Sequence, residues 1–341
     1  MPNSSADILT RPADIAAERE EEFGVVGSLT PAFDDVTAAA RCIAGITRPL
    51  TVIDADADLA PTGGISLALE FLQHSGSFKA RGAVNLVAAL LETGRMPRAG
   101  IVSATEGNAA IGFAWAARRF GVPATMFLSR AVSPAKVQRL RELGAEVRVT
   151  GATKAEAQHA ARRFRDDTGA IDAFVYDDVL TSAGAGTILL ELAAARPDLD
   201  TVVCAVGAGG MFSGIAAVAE KLSIRVVGAE PQGSQALHAA LAADSVREVE
   251  IDSIASDSLG APKISPSALA WAKAADTCSV VVDDAAIIDA RLQLWRRHRL
   301  AVEHGSATAL AALLAGAYRP EPGERIGVVL CGANTDPADL V

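Results

Sequence analysis

At 341 residues the chain is too long for one small core and fits about two domains, or one large α/β unit with an added lobe. Half the residues are hydrophobic and aromatics are few, which suits helices packed on a buried parallel sheet; no apolar run nears the roughly 18 residues of a membrane span. With 31 Lys+Arg against 41 Asp+Glu the net charge is −10, and without a basic patch the sequence argues against a nucleic-acid partner.

Residues 1–24 lack the apolar core of a signal peptide and read as a polar lead-in. Cys42, Cys204, Cys278 and Cys331 are scattered, without a CxxC pair or metal-ligand spacing, so the expectation is no disulfide framework and a reducing cytoplasm. The first stretch that carries chemistry is Ser75-Gly76-Ser77-Phe78-Lys79-Ala80-Arg81-Gly82-Ala83. A lysine opening a helix behind small hydroxylated residues has the features of a Schiff-base lysine, because burial and helix-terminal amides favour its neutral amine. Alone, the stretch fits a surface lysine at a helix start better.

Beyond it, short apolar runs alternate with helical patterns, the sign of βαβ units. A strand is predicted over 101–104. Thr105-Glu106-Gly107-Asn108-Ala109-Ala110 follows it and opens a helix over 108–120, placing hydroxyls, an amide and free N–H groups where a carboxylate could bind. A strand over 124–128 and a helix over 134–143 come next, with Ser133 as N-cap, Pro134 at the first position and Gly144 as the stop. A strand over 146–150 completes a unit of three strand–helix pairs, and residues 95–175 read as a smaller lobe inserted in a larger sheet.

After a helix over 183–195, a strand over 201–205 runs into Gly207-Ala208-Gly209-Gly210-Met211, glycines that let backbone amides close on a phosphate. A plain tight turn fits too, but the spacing is not that of a dinucleotide fingerprint. Strands over 226–229 and 327–331 follow, the last ending in Leu330-Cys331-Gly332-Ala333-Asn334.

Taken in order, these stretches resemble the β-family (fold type II, tryptophan synthase β-like) of pyridoxal 5'-phosphate (PLP) enzymes, the group of serine and threonine dehydratases, serine racemase and cysteine synthase. The resemblance spans roughly 45–335, with SGSFKARGA its most specific match. It implies a two-lobed α/β fold with parallel-type sheets and helices on both faces. The large PLP-binding domain would comprise 25–94 plus 176–341 and the small domain 95–175. Lys79 would carry the cofactor, Phe78 pack beside it and Asn108 bind the ring's 3'-oxygen. Gly207, Ala208, Gly209, Gly210 and Met211 would hold the phosphate, while Thr105, Gly107 and Ala109 would surround the substrate carboxylate. Cys331 matches the residue facing the ring nitrogen, where a neutral donor favours β-elimination over transamination. Glu303 matches the glutamate of a Val-Glu-Pro-Ala-Gly stretch, although His304 replaces the proline.

Two departures bear on function. Glu106 stands where relatives carry serine, alanine or aspartate, and could be a second acid/base opposite Lys79; it could equally face solvent or pair with a cation. Glu230 matches the first ligand of the family's metal site, but Ala236 takes the expected aspartate position, so no metal is assigned. The resulting expectation is a serine/threonine dehydratase-like ammonia-lyase acting on a small amino acid, without feedback control by isoleucine, since about ten residues follow Cys331 and leave no room for a C-terminal regulatory domain. The expected assembly is a homodimer. Rival readings are racemisation, diaminopropionate cleavage or β-replacement on the same fold, and, more remotely, PLP binding without turnover.

Overall fold

The computed structural model describes residues 30–59, 63–173 and 177–340; the lead-in expected over 1–24 lies outside them. Ten strands among the described residues form two sheets. They are β1 (Val52–Asp54), β2 (Ile65–Ala68), β3 (Ile101–Ser103), β4 (Ala124–Leu128), β5 (Glu146–Val149), β6 (Ile171–Asp172), β7 (Thr201–Ala205), β8 (Arg225–Pro231), β9 (Thr277–Val282) and β10 (Ile326–Val329). The larger sheet runs β1-β2-β10-β7-β8-β9 and the smaller β5-β4-β3-β6. All neighbours are parallel except β1 against β2.

The helices are α1 (Phe33–Ile43), α2 (Lys79–Glu92), α3 (Asn108–Phe120), α4 (Pro134–Glu142), α5 (Lys154–Thr168) and α6 (Val179–Ala195). After them come α7 (Gly210–Leu222), α8 (Ala236–Ala242), α9 (Ser256–Leu259), α10 (Pro266–Ala274), α11 (Asp284–Gln293) and α12 (His304–Leu314).

Successive strand residues point to opposite faces, and the large sheet buries both. Val202 and Cys204 join the core under α6 and α7, while Val203 joins the opposite core under α11 and α12. The small sheet likewise sends Ile101 and Met126 towards α3 and Val102 and Phe127 towards α5. Helices therefore cover both faces of both sheets. Ile43 and α2, which lie outside 95–175, also pack into a small-sheet core.

Local signals act as expected in α4. The Ser133 hydroxyl accepts the Lys136 N–H at 3.4 Å, Pro134 sits in the first turn, and the chain leaves through Gly144 at φ 84. Other boundaries move. The strand expected over 327–331 is Ile326–Val329, so Cys331 lies just past it, and the helix expected over 183–195 begins at Val179, where Asp178 caps it. The sequence reading contained no β1, β2, β6 or β9.

The layout serves one place. The carboxyl ends of β3, β4, β7 and β10 lead directly into 105–108, Ser129, 207–210 and Cys331, and such strand ends are where open α/β sheets bind ligands.

Candidate active site

A cavity of about 320 Å³ lies at these strand ends. Every site residue expected from the sequence borders it except Glu303, which stands one layer back. Lys79 opens α2, with Nζ 4.8 Å from the centre of the Phe78 ring. The Phe78 N–H donates to the Cys331 carbonyl at 2.9 Å, and Ser77 bridges Gly332, so the lysine motif and the end of the last strand become one surface.

Lys79 keeps some accessible surface because it borders the cavity, yet the protein packed around it lowers its pKa by desolvation. The neutral amine needed for nucleophilic attack is thereby favoured. Burial, aided by the charge of Glu303, pushes the Cys331 thiol up to about 12, so at neutral pH it remains a thiol and a weak donor.

Asn108 is held on both ends of its amide. Its Nδ2 donates to Glu303 Oε1 and Oε2, each at 2.9 Å, and its Oδ1 accepts from Asn334 Nδ2 at 2.6 Å. Glu303 also accepts the Asn334 N–H at 2.8 Å. Burial raises the Glu303 carboxyl, and these hydrogen bonds oppose the rise. Glu303, expected among the cofactor-binding residues, thus orients Asn108 from behind the cavity lining.

Glu106 borders the cavity but is anchored. Its Oε1 accepts the Ser129 N–H at 2.9 Å and the Ser129 hydroxyl at 2.6 Å, while Oε2 lies 3.9 Å from Lys154 Nζ. Thr105, Gly107 and Ala109 surround the N-terminus of α3, whose first N–H groups have no partner within the helix.

The glycine loop enters α7 through Gly209 at φ 97, a left-handed conformation that favours glycine. A Cβ on Gly209 would fall 2.4 Å from Ala268 Cβ, so no side chain fits there. The Gly209 carbonyl accepts from the Ser213 N–H at 2.8 Å and its hydroxyl at 2.9 Å, and the Ala208 carbonyl accepts the Ser265 N–H at 2.9 Å. Behind them Ser267 joins Ser213, Ser265 and Asp177. With its carbonyls tied back, the loop presents amides at the N-terminus of α7, a cradle for an anionic phosphate.

Several of these residues were missed by sequence reasoning. Ser129 follows the carboxyl end of β4, and that placement was the available signal. Lys154, Gln158 and the segment 256–262 also border the cavity, and Asn334 carries the Asn108 link.

The family's metal position is a poor fit. Glu230 is fully buried, its two carboxylate oxygens accept the N–H groups of Leu237 and His238 at 2.7 and 2.8 Å, and Ala236 offers no ligand atom. Among the described residues no group of three His, Cys, Asp or Glu could hold a metal ion, and no helix is long and apolar enough to cross a membrane.

A desolvated lysine, an amide-lined cradle and a neutral donor around one cavity define a site for a phosphate-bearing aldehyde cofactor. Residues 47–332 match the family of pyridoxal-phosphate dependent enzymes, and the chain belongs to it. It is a PLP-dependent enzyme with the α/β, two-lobed architecture of fold type II. It is 32% identical over 306 residues to the L-threonine ammonia-lyase of Thermotoga maritima, covering 89% of this chain and 75% of that protein. It is 34% identical over 286 residues to the phenylserine dehydratase of Ralstonia pickettii, covering 83% and 86%. The solved structure of maize serine racemase matches with a TM-score of 0.84 at 28% identity, over 91% of this chain and 96% of that one.

Proposed function

We propose that this chain is a serine/threonine dehydratase-like ammonia-lyase, converting a small β-hydroxy amino acid to a 2-oxo acid and ammonia. The observation that carries the reading is the desolvated Lys79 at the cavity wall, between the Asn108 loop, the glycine cradle and Cys331. PLP would be held here through Lys79 and, once the substrate amine has taken the place of the lysine, would supply an electron sink for the negative charge that develops at the substrate Cα. The loop 207–211 and the α7 N-terminus hold its phosphate, and Asn108, set by Glu303 and Asn334, donates towards its 3'-oxygen. Thr105, Gly107, Ala109 and the α3 N-terminus hold the substrate carboxylate. Lys79, its neutral form favoured by desolvation and its amine freed by the substrate's, takes the Cα proton. Cys331, protonated at neutral pH, offers the ring nitrogen only a weak donor, so prompt loss of the β-substituent is favoured over transamination.

A second reading, racemisation, is favoured by Glu106. Its carboxylate borders the cavity from the small-sheet side, and Ser129 fixes it there. A second acid/base could serve the substrate face that Lys79 does not. Four unpaired cysteines support a reducing compartment, the cytoplasm. The assembly proposed is a homodimer, which sedimentation of the purified protein tests.

The deciding assay incubates PLP-loaded enzyme with L- and D-serine and L- and D-threonine, reading 2-oxo acid, ammonia and chirality. Oxo acid and ammonia from the L-forms support elimination. Inversion without oxo acid overturns it in favour of racemisation.

A further inference from the structure

The motif that carries Lys79 contains a second charged residue for which the proposed chemistry has no role. Arg81 is fully buried, and so is its partner Glu70. Its Nε donates to Glu70 Oε2 at 2.8 Å and its Nη2 to Glu70 Oε1 at 2.7 Å, a bidentate pair. Its Nη1 donates to Thr187 Oγ1 at 3.1 Å and to Glu191 Oε1 at 2.5 Å. Burial alone would lower the guanidinium pKa, but Glu70 and Glu191 outweigh it and raise it further.

These partners belong to separate segments. Glu70 lies in the turn before the lysine motif, while Thr187 and Glu191 lie on α6. The other oxygen of Glu191 accepts the Leu50 N–H at 2.6 Å, and Thr187 donates back to the Gly184 carbonyl at 2.6 Å. Two residues along a helix is a rotation of about 200°, so Arg81 grips the side of α2 away from Lys79.

The first turn of α2 is also pressed from two directions. A Cβ on Gly82 would lie 2.5 Å from the Thr181 carbonyl oxygen, so α6 packs directly on the backbone. A Cβ on Gly112 would lie 3.0 Å from both Lys79 Cβ and the Lys79 carbonyl oxygen, so α3 packs on the lysine itself. Contact with small residues restrains approach, but it leaves sliding and rotation of α2 free. Four directional hydrogen bonds from one rigid guanidinium fork remove both freedoms.

We propose that Arg81 is a positioning residue for Lys79: its fork locks the first turn of α2 to α6 and to the Glu70 turn, setting where the lysine amine meets cofactor and substrate. The inference rests on the lysine role proposed above. A misplacement of about 1 Å in a reacting group can reduce turnover on the order of 10²-fold, while binding through the phosphate cradle and the carboxylate loop is untouched.

The test uses the PLP-loaded full chain with Arg81→Lys and Glu191→Gln. Lysine keeps the charge opposite Glu70 but lacks the fork; Glu191→Gln alters the α6 anchor at a partly exposed side chain. Circular dichroism establishes folding. The readouts are kcat and KM, the rate at which added PLP forms a borohydride-reducible lysine link, and the pH midpoint of the bound cofactor's visible band.

Expected for Arg81→Lys are a kcat lower by about 10²-fold, KM within about threefold, slower linkage and a displaced midpoint. Glu191→Gln should show the same pattern at about a tenth of the size, and it decides the matter if Arg81→Lys does not fold. A folded variant with wild-type kcat, linkage rate and midpoint overturns the proposal and leaves Arg81 a packing residue. A wild-type protein that forms no reducible link at Lys79 overturns the lysine reading instead, so the two failures are distinct.

Discussion

Replacing Gly209 by alanine perturbs the phosphate cradle at the point where the structure leaves least room. The residue sits at φ 97, and moving an L-residue into left-handed backbone costs roughly 1–2 kcal/mol. The new Cβ would lie 2.4 Å from Ala268 Cβ and 2.8 Å from Ile264 Cδ1, well inside contact distance. Overpacking of that kind costs roughly 1–3 kcal/mol. The sum is a loss of about 2–5 kcal/mol in apo-protein stability, measured by urea unfolding. If the loop relieves the overlap by moving, one or two amide–phosphate hydrogen bonds are lost and PLP affinity falls by about 10- to 100-fold, read by fluorescence titration. The double variant Gly209→Ala/Ala268→Gly removes the main overlap and should recover the packing part but not the backbone part. Wild-type stability and affinity in Gly209→Ala, or no recovery in the double variant, would refute the reasoning.

Glu106→Gln keeps an acceptor for Ser129 and removes the charge; inversion or any reaction of D-substrates should fall by about 10²-fold, with L-elimination within about threefold. Equal losses for both enantiomers would remove Glu106 from proton transfer. Cys331→Ser should retain most elimination, whereas Cys331→Asp should protonate the ring and increase the transaminated by-product; identical product ratios would place Cys331 away from the ring nitrogen. The Glu230 carboxyl is pushed up to about 7 by burial, above its unfolded value of about 4.3, so the stability its proton contributes is complete at low pH and is lost as pH rises through 7. Urea unfolding with chelator should show the gap between wild type and Glu230→Gln moving by about 2 kcal/mol in the variant's favour between about pH 5 and about pH 8. A gap that does not change with pH would contradict the burial argument.

The legible parts of the chain were those whose local chemistry and tertiary role agree. Helix α3 emerged with both ends as predicted, because Asn108 follows a strand turn and Gly121 stops the helix in left-handed backbone. The lysine motif and glycine loop were readable because lysine, glycine and a strand–helix turn are each demanded by the chemistry. Strand β1 has three residues and β6 two, too short for a period-two pattern to register. At the edge of the large sheet, β9 has only Val280 and Val282 buried, so its pattern was weak.

The site's supporting residues were hidden for a different reason. Ser129, Asn334, Ser213 and Ser267 are ordinary hydroxyl and amide residues whose roles come from partners far along the chain. Glu303 was named from resemblance, but only the fold shows that it acts on Asn108.

The central claim is that Lys79 carries the cofactor, and reduction of the PLP-loaded enzyme with borohydride followed by peptide mapping tests it most directly. The account predicts a pyridoxyl adduct on Lys79 alone, with Lys79→Ala losing both the adduct and turnover while still binding PLP through the cradle. An adduct on another lysine, with Lys79→Ala near wild-type activity, would contradict it.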